Sequence, residues 1–387
     1  MKQLARRITG TSKKSFGMYA RAAVSGRDDL IHMELGKPFA DTPQHIKDAT
    51  IAAIQAGKVH YSDLPGILPL REAIAAKLAR QNGMEVTPDQ VVVTNGLTHG
   101  SYAALMAFID EGDEVILLEP YYPQHIGKIE LAGGVPVPVS LDVANDYAID
   151  AARIEASITD RTKMIVLINP CNPTGRVYSR EELMALSEIA IRHDLIVVSD
   201  EVYEEIVYDD ANHISIASLP GMAERTVTLF AFTKSYAMDG WRIGYLAAPK
   251  AAIGAILKIT ANDVTHVNTF IQEGALAALN GDPAVLAQLI ADDRAKRDRV
   301  VTRLNQISGV TCPWPQGTIY AFADISSLGL TAQNMAERLM DEAGVVVEAG
   351  SFYGAAGEGH LRLCFGAPSM DEIDEALDRF AAFVRGL

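Results

Sequence analysis

Short apolar runs alternate with longer stretches of helical pattern between about residues 90 and 250. Such alternation is typical of βαβ units. Several runs are apolar on both faces, which indicates strands buried between two layers of helices and therefore a mostly parallel sheet. The pattern predicts an α/β fold. The runs are VVV at 91–93, EVILL at 114–118, MIVLI at 164–168, LIVV at 195–198 and TVTLF at 226–230.

The pattern of apolar and charged residues changes beyond residue 280, where charged helical stretches flank short apolar runs at 319–323 and 344–347. This pattern favours a smaller α+β domain that the N-terminal segment completes. We predict a large domain over residues 45–280, and a small domain made of 1–44 together with 281–387.

Helix-boundary signals are also present. Ser179 and Glu182 have the spacing of a capping box before an amphipathic segment. Pro69 at the start and Gly83 past the end mark an earlier helix.

Composition excludes several classes of function. Lys+Arg 34 against Asp+Glu 49 gives a net charge of −15, which repels phosphate backbones and anionic lipid headgroups. Nucleic acid and membrane are therefore not expected as partners. The three cysteines lack the spacing of a disulfide framework or zinc module, so no metal is expected. No signal-like segment is visible and the longest apolar runs are strand-sized, so we expect a cytoplasmic protein.

Polar residues follow five of the apolar runs, at the positions where α/β proteins bind ligands. One convergent site would combine an anion-binding turn, an aromatic ring, an amide, a carboxylate, a phenol and a lysine. These groups suit a phosphorylated, aromatic, carbonyl-bearing cofactor, and pyridoxal phosphate fits all of them. The segments are 94–98, 119–122, 169–175, 199–203 and 232–234.

The segment from Lys234 through Gly240, Trp241 and Arg242 to Gly244 resembles the lysine motif of the class I aminotransferases of fold type I. The resemblance extends from Gly36 to Arg362. It implies a mostly parallel seven-stranded sheet between helices, a smaller second domain and pyridoxal 5′-phosphate as cofactor.

The resemblance also implies roles around the cofactor ring. Lys234 would form the Schiff base and move the proton at the substrate Cα, and Asp200 would pair with the ring nitrogen. Tyr203 and Asn172 would donate hydrogen bonds to the phenolic oxygen of the ring. Tyr122 would stack on the ring.

The phosphate would lie at the turn formed by Gly96, Leu97 and Thr98, where backbone N–H groups at a helix N-terminus face an anion. By resemblance, Arg242 adds a charge there and Tyr61 reaches the phosphate from a neighbouring subunit, which implies a homodimer with shared active sites. Many relatives have a phosphate-binding serine three residues before the lysine. This chain has Ala231 instead, so we expect the phosphate to depend more on the other groups or on Thr233.

For the substrate, the resemblance implies that Arg362 binds the α-carboxylate, that Asn172 adds a contact, and that the loop at Gly36 closes over the site. Two hypotheses remain for the substrate side chain. Lys37 could hold a distal carboxylate. Alternatively, Phe16, Tyr19 and Tyr121 could line an apolar pocket.

The resulting hypothesis is an aminotransferase that moves an amino group from an L-amino acid to a 2-oxo acid in two half-reactions. An alternative on the same scaffold is a pyridoxal-phosphate-dependent β-eliminating C–S lyase. A more distant alternative is a non-catalytic ligand-sensing domain.

Overall fold

The computed structural model describes residues 4–10 and 17–387. The strands in this part of the chain are β1 (Ile31–His32), β2 (Val91–Thr94), β3 (Glu114–Glu119), β4 (Val135–Ser140), β5 (Thr162–Ile168), β6 (Ile196–Asp200), β7 (Thr226–Ala231), β8 (Gly244–Ala247), β9 (Tyr320–Asp324), β10 (Val345–Val346), β11 (Glu348–Ala349) and β12 (His360–Cys364).

The α-helices of the described residues are α1 (Arg6–Thr9), α2 (Gly17–Ala23), α3 (Gln44–Gln55), α4 (Leu68–Lys77), α5 (Gly96–Phe108), α6 (Gln124–Leu131), α7 (Ala151–Ser157), α8 (Arg180–Arg192), α9 (Lys250–Asp263), α10 (Thr269–Asn280), α11 (Pro283–Leu304), α12 (Ala332–Arg338) and α13 (Met370–Arg385). Single π-helical turns, Leu78–Asn82 and Leu339–Ala343, continue α4 and α12.

A seven-stranded sheet forms the centre of the fold, in the order β2-β8-β7-β6-β5-β3-β4. Strands β7, β6, β5, β3 and β4 pair in parallel, whereas β8 is antiparallel to both β2 and β7. This arrangement confirms the predicted α/β class and the mostly parallel seven-stranded sheet. All five apolar runs identified in the sequence are strands of this sheet.

Both faces of the sheet are covered. One hydrophobic cluster joins alternate residues of β3, β5 and β6 to α8, including Ile165, Val197 and Leu186. A second cluster takes the other set of alternate residues, such as Val166 and Val198, and packs them against α5 and α9. Because successive side chains of a strand point to opposite faces, strands buried in this way must be apolar at nearly every position.

The first and last parts of the chain share a core. Strand β1 pairs in parallel with β10, and β9, β11 and β12 form a separate antiparallel sheet. Met18 and Met33 pack in one cluster with residues of α11, α12 and α13. These contacts agree with the proposed grouping of 1–44 with 281–387, although the domain boundaries themselves stay a prediction.

The helix signals read from the sequence are also present. Ser179 accepts a hydrogen bond from the backbone N–H of Glu182 at the start of α8, and Glu182 accepts one from the backbone N–H of Ser179. Pro69 lies in the first turn of α4, and Gly83 ends the following π-turn with a positive φ of 64°.

No single helix within residues 4–10 and 17–387 is long and apolar enough to cross a membrane. In that same part of the chain, one pair of helices, α10 and α11, passes the test of length and composition when taken together, but the two helices meet at 86°.

Replacing Ser179 with Ala should lower the free energy of unfolding by about 1 kcal/mol, because the backbone N–H of Glu182 loses its cap. Ser179→Asp should retain nearly all the stability, since its carboxylate can accept the same hydrogen bond. Urea denaturation followed by circular dichroism measures both. Equal stability of Ser179→Ala and the unaltered protein would contradict a stabilising cap.

Candidate active site

A cavity of ≈ 300 Å³ opens at the carboxyl edge of the large sheet. Of the residues assigned by resemblance to the cofactor and to the substrate backbone, all but Gly96 and Tyr61 line this cavity. The predicted residues that line it are Gly36, Leu97, Thr98, Tyr122, Asn172, Asp200, Tyr203, Lys234, Arg242 and Arg362.

The sheet topology explains why these distant residues meet. Asn172, Asp200 and Lys234 end or follow the parallel strands β5, β6 and β7, so all three lie at one edge of the sheet. Arg242 instead precedes β8. Because β8 is antiparallel to β7, with Gly244 opposite Ala231, the start of β8 lies at the edge where β7 ends.

Lys234 is half-buried and lines the cavity, where its Nζ donates a hydrogen bond to the backbone carbonyl of Gly36. Burial lowers the pKa of the Lys234 ammonium to about 8, and the positive charges of Arg362 and Arg242 act in the same direction. A lysine with this pKa is partly neutral near physiological pH, as a nucleophile or a general base requires.

Asp200 is only 4% exposed and faces the same cavity. Its carboxylate accepts a hydrogen bond from the backbone N–H of Val202 at 3.3 Å and lies 3.3 Å from Nε2 of His125. Burial lowers the pKa of His125, and the hydrogen bond with Asp200 opposes that shift. A buried carboxylate in this position is suited to a cationic partner inside the cavity.

A cradle for an anion lies at the N-terminus of α5. Gly96 begins the helix with a φ of +75°, and a Cβ at this position would lie 2.4 Å from a terminal nitrogen of Arg242. The side chain of Asn95, the residue before the helix, accepts no hydrogen bond from the first N–H groups of α5. Thr98, in the first turn of α5, and Thr233, the residue before Lys234, also line the cavity. Helix N–H groups, a guanidinium and hydroxyls together suit a phosphate.

Arg362 lies on the opposite wall of the cavity. It donates hydrogen bonds to the side-chain oxygen of Asn172 at 3.3 Å and to the backbone carbonyl of Glu34. Its guanidinium carbon lies 4.3 Å from the ring centroid of Tyr320 and 5.1 Å from that of Tyr353. The Nε of Arg362 is buried and has no hydrogen-bond partner within residues 4–10 and 17–387. This guanidinium therefore keeps donor capacity for a carboxylate.

Phenol groups complete the wall. The hydroxyls of Tyr203 and Tyr320 lie 2.7 Å apart and share a hydrogen bond. Burial raises the pKa of Tyr122 to about 12, so its hydroxyl keeps its proton.

Two predicted residues lie elsewhere. Gly96 is not a lining residue, but it lies against Arg242, which lines the cavity, and a Cβ at Gly96 would displace that side chain. Tyr61 is 85% exposed on the outer surface, edge-on to His266. The role that the resemblance gave to Tyr61 requires a second subunit, and it stays a prediction.

The two hypotheses for the substrate side chain differ in their support. Lys37 is exposed and does not line the cavity. Tyr19 lines it, whereas Tyr121 packs into the hydrophobic cluster against α5. Phe16 lies outside the described residues.

Several other residues of the site carry no local signal in the sequence. Tyr320, Phe352 and Tyr353 line the cavity from the C-terminal part of the chain, and Glu348 is a buried carboxyl beside Arg362. Burial raises the pKa of Glu348 to about 7, and Arg362 opposes the shift. Glu348 lies opposite Arg362 where β11 pairs with β12, and only this strand register reveals that the two residues are neighbours.

The sequence matches the family Aminotransferase class I and II over residues 28–380. It is 38% identical over 364 residues to an aspartate aminotransferase of Pyrococcus abyssi, with 93% of each chain covered. It is 36% identical over 357 residues to aromatic-amino-acid aminotransferase 2 of Thermococcus litoralis, covering 92% of this chain and 91% of that one.

The fold is also similar to the folds of solved structures. One is the aspartate aminotransferase from Thermus thermophilus with maleate, with a TM-score of 0.93 and 36% identity over 99% of this chain and 100% of that one. The chain therefore belongs to the class I and II aminotransferases. It is an enzyme of that family, an aminotransferase, with the α/β fold of its relatives.

The lowered pKa of Lys234 predicts pH-dependent reactivity. Labelling by a small aldehyde with borohydride should rise as pH passes through about 8, because only the neutral amine attacks a carbonyl. Peptide mass spectrometry measures the label on Lys234 at each pH. Lys234→Arg should lose the label at this position, and a labelling rate that stays flat from pH 7 to pH 9 would contradict the lowered pKa.

Proposed function

We propose that this aminotransferase binds pyridoxal 5′-phosphate in the cavity and uses it to move an amino group from an L-amino acid to a 2-oxo acid. The observation that supports this best is the meeting of Lys234, Asp200 and Arg242 around one cavity. They provide a partly neutral amine, a buried carboxylate and an anion cradle, as the cofactor's aldehyde, ring nitrogen and phosphate require.

When bound, pyridoxal phosphate supplies a carbonyl that exchanges amines and a conjugated ring that accepts electrons. Lys234 would hold the cofactor and then move the proton at the substrate Cα. Asp200 would orient the ring through its nitrogen. Because the side-chain oxygen of Asn172 is engaged with Arg362, its N–H₂ group remains as the donor for the phenolic oxygen, beside the hydroxyl of Tyr203.

Tyr122 would cover one face of the ring. Arg242, Thr98 and the N–H groups of Gly96 and Leu97 would bind the phosphate, with Thr233 in place of the serine that Ala231 replaces. These assignments extend the cavity geometry to a ligand of known chemistry.

The substrate α-carboxylate is assigned to Arg362, with Asn172 beside it and the backbone at Gly36 above the site. Several relatives are named for aspartate and one for aromatic amino acids, which fits a substrate drawn from the common L-amino acids. The aromatic side chains of Tyr19 and Phe352 on the cavity wall favour the hypothesis of an apolar side-chain pocket.

The proposal includes a homodimer in the cytoplasm. The ring of Tyr61 is exposed and does not line its own cavity, so it is available to a second copy, where it would reach the phosphate. Cys171, Cys312 and Cys364 are free buried thiols, which suits a reducing compartment.

The visible absorption spectrum of the purified protein tests the function. The protein should be yellow with bound cofactor and bleach when a substrate amino acid is added, and Lys234→Ala should not complete the cycle to a 2-oxo acid. Release of pyruvate and ammonia from cysteine derivatives would favour the lyase alternative. A protein that stays colourless with added pyridoxal phosphate would overturn the proposal.

Arg362→Lys should raise the KM for the amino acid roughly 10- to 100-fold, because an ammonium cannot form two parallel hydrogen bonds to a carboxylate. Lys37→Ala is the matched control, since Lys37 is exposed and outside the cavity. Its KM for aspartate, glutamate and neutral substrates should remain unchanged. Steady-state kinetics on all three substrate types measures both variants, and a selective loss of dicarboxylic substrates in Lys37→Ala would restore the distal-carboxylate hypothesis.

A further inference from the structure

Glu201 and His213 form a buried pair behind the active site. Glu201 follows Asp200 directly at the end of β6 and is fully buried. Its Oε2 lies 3.4 Å from Nε2 of His213, whose side chain is 7% exposed. Neither atom has a hydrogen-bond partner among the described residues. Two unpaired polar atoms at this distance in a buried site require a proton between them.

The other oxygen of Glu201 is fully used. Its Oε1 accepts hydrogen bonds from the hydroxyls of Ser199 at 2.8 Å and Ser215 at 2.9 Å. This oxygen therefore acts as an acceptor only. If a proton is present on the carboxyl, it lies on Oε2 and points at His213.

Burial favours the neutral form of both groups, although the negative charge of Glu204 opposes the pKa shift at His213. Burial raises the pKa of Glu201 well above its usual range, and the negative charge of Glu204 adds to the shift while Lys77 opposes it. Burial lowers the pKa of His213 to about 4, and a hydrogen bond with the backbone of Asn169 opposes that shift. A neutral acid beside a neutral imidazole gives one donor and one acceptor.

The pair lies between chain segments that carry site residues. Asn169 donates its backbone N–H to the carbonyl of Asp200 at 3.0 Å and its side-chain N–H to the carbonyl of Ile214 at 3.2 Å. Asn169 begins the loop that leads to Asn172, while Glu201 lies between Asp200 and Tyr203 in sequence. A hydrogen bond between Glu201 and His213 would therefore hold the segment that contains Asn172 and the segment from Asp200 to Tyr203 in a fixed relative position.

We propose that Glu201 is a neutral carboxylic acid that donates its proton to Nε2 of His213, and that this pair positions Asp200 and Asn172 for the cofactor ring. Glu201 and His213 are positioning residues, since neither lines the cavity. The positioning role depends on the proposed cofactor function, whereas the shared proton does not.

A metal ion is the competing explanation, because ligand atoms of Glu201, Glu204 and His213 lie within 4.8 Å of one another. Both oxygens of Glu204 already have partners, however. One accepts a hydrogen bond from Nζ of Lys77 and the other from the side chain of Asn82 at 2.5 Å. Glu204 would be the third ligand of the metal ion, but its carboxylate already has a positive partner in the ammonium of Lys77.

Infrared spectroscopy of the whole protein at neutral pH tests the protonation state directly. The carbonyl band of a protonated carboxylic acid should disappear in Glu201→Gln, whereas ionised Glu201 would give no such difference and overturn the proposal. Glu114→Gln is the matched control, since Glu114 is buried but its hydrogen bonds with Thr159 and Arg161 lower its pKa. That variant should lose no acid band.

The positioning role is tested by the dissociation constant for pyridoxal phosphate, measured by absorbance titration of the cofactor-free protein. Glu201→Gln should bind as tightly as the unaltered protein, because an amide can accept from the two serines and donate to His213. Glu201→Met and His213→Phe should bind roughly tenfold more weakly, since each leaves a buried polar group without its partner.

Several results would overturn the inference. Equal cofactor binding by folded Glu201→Met and His213→Phe would remove the positioning role. A stoichiometric divalent cation in the purified protein that is lost in Glu201→Gln would assign the cluster to a metal. Failure of the unaltered protein to bind pyridoxal phosphate would instead contradict the proposed function, and the infrared result would still decide the protonation state.

Discussion

The candidate active site depends on the register of the parallel strands in the large sheet. Strands β5, β6 and β7 end at the same edge, so residues that are 28 and 34 positions apart in the chain, Asn172, Asp200 and Lys234, face one cavity. A shift of one residue in any strand would turn its side chains to the other face of the sheet. The alternating apolar packing on both faces therefore fixes the chemistry as well as the fold.

The sequence was sufficient for the sheet and for most of the cavity, because both depend on local signals. The five apolar runs are strands, but β4 carries two prolines and β8 begins with Gly244, so the pattern of the sequence does not reveal these two strands. The residues that the sequence missed, such as Tyr320 and Glu348, reach the cavity by packing between distant segments. No local pattern distinguishes them from ordinary core positions.

Burial sets the charge states of the site. A chain with a net charge of −15 keeps Lys234, Arg242 and Arg362 around one cavity, which Asp200 and Glu348 also line. For Lys234 the result is a lowered pKa, whereas Arg362 stays charged because a guanidinium does not release its proton in proteins. The low dielectric of a buried site also makes each unpaired polar atom costly. The hydrogen bonds of the buried residues next to Asp200 therefore matter to the groups that line the cavity.

Arg362 also joins three parts of the molecule. Its guanidinium bonds the backbone of Glu34 near the N-terminus and the side chain of Asn172 beyond β5, while its own backbone belongs to β12. A carboxylate that competes for these donors would loosen the ties that link those segments to one another. A ligand on this one guanidinium would therefore act on the backbone at Glu34 and on the side chain of Asn172 at the same time.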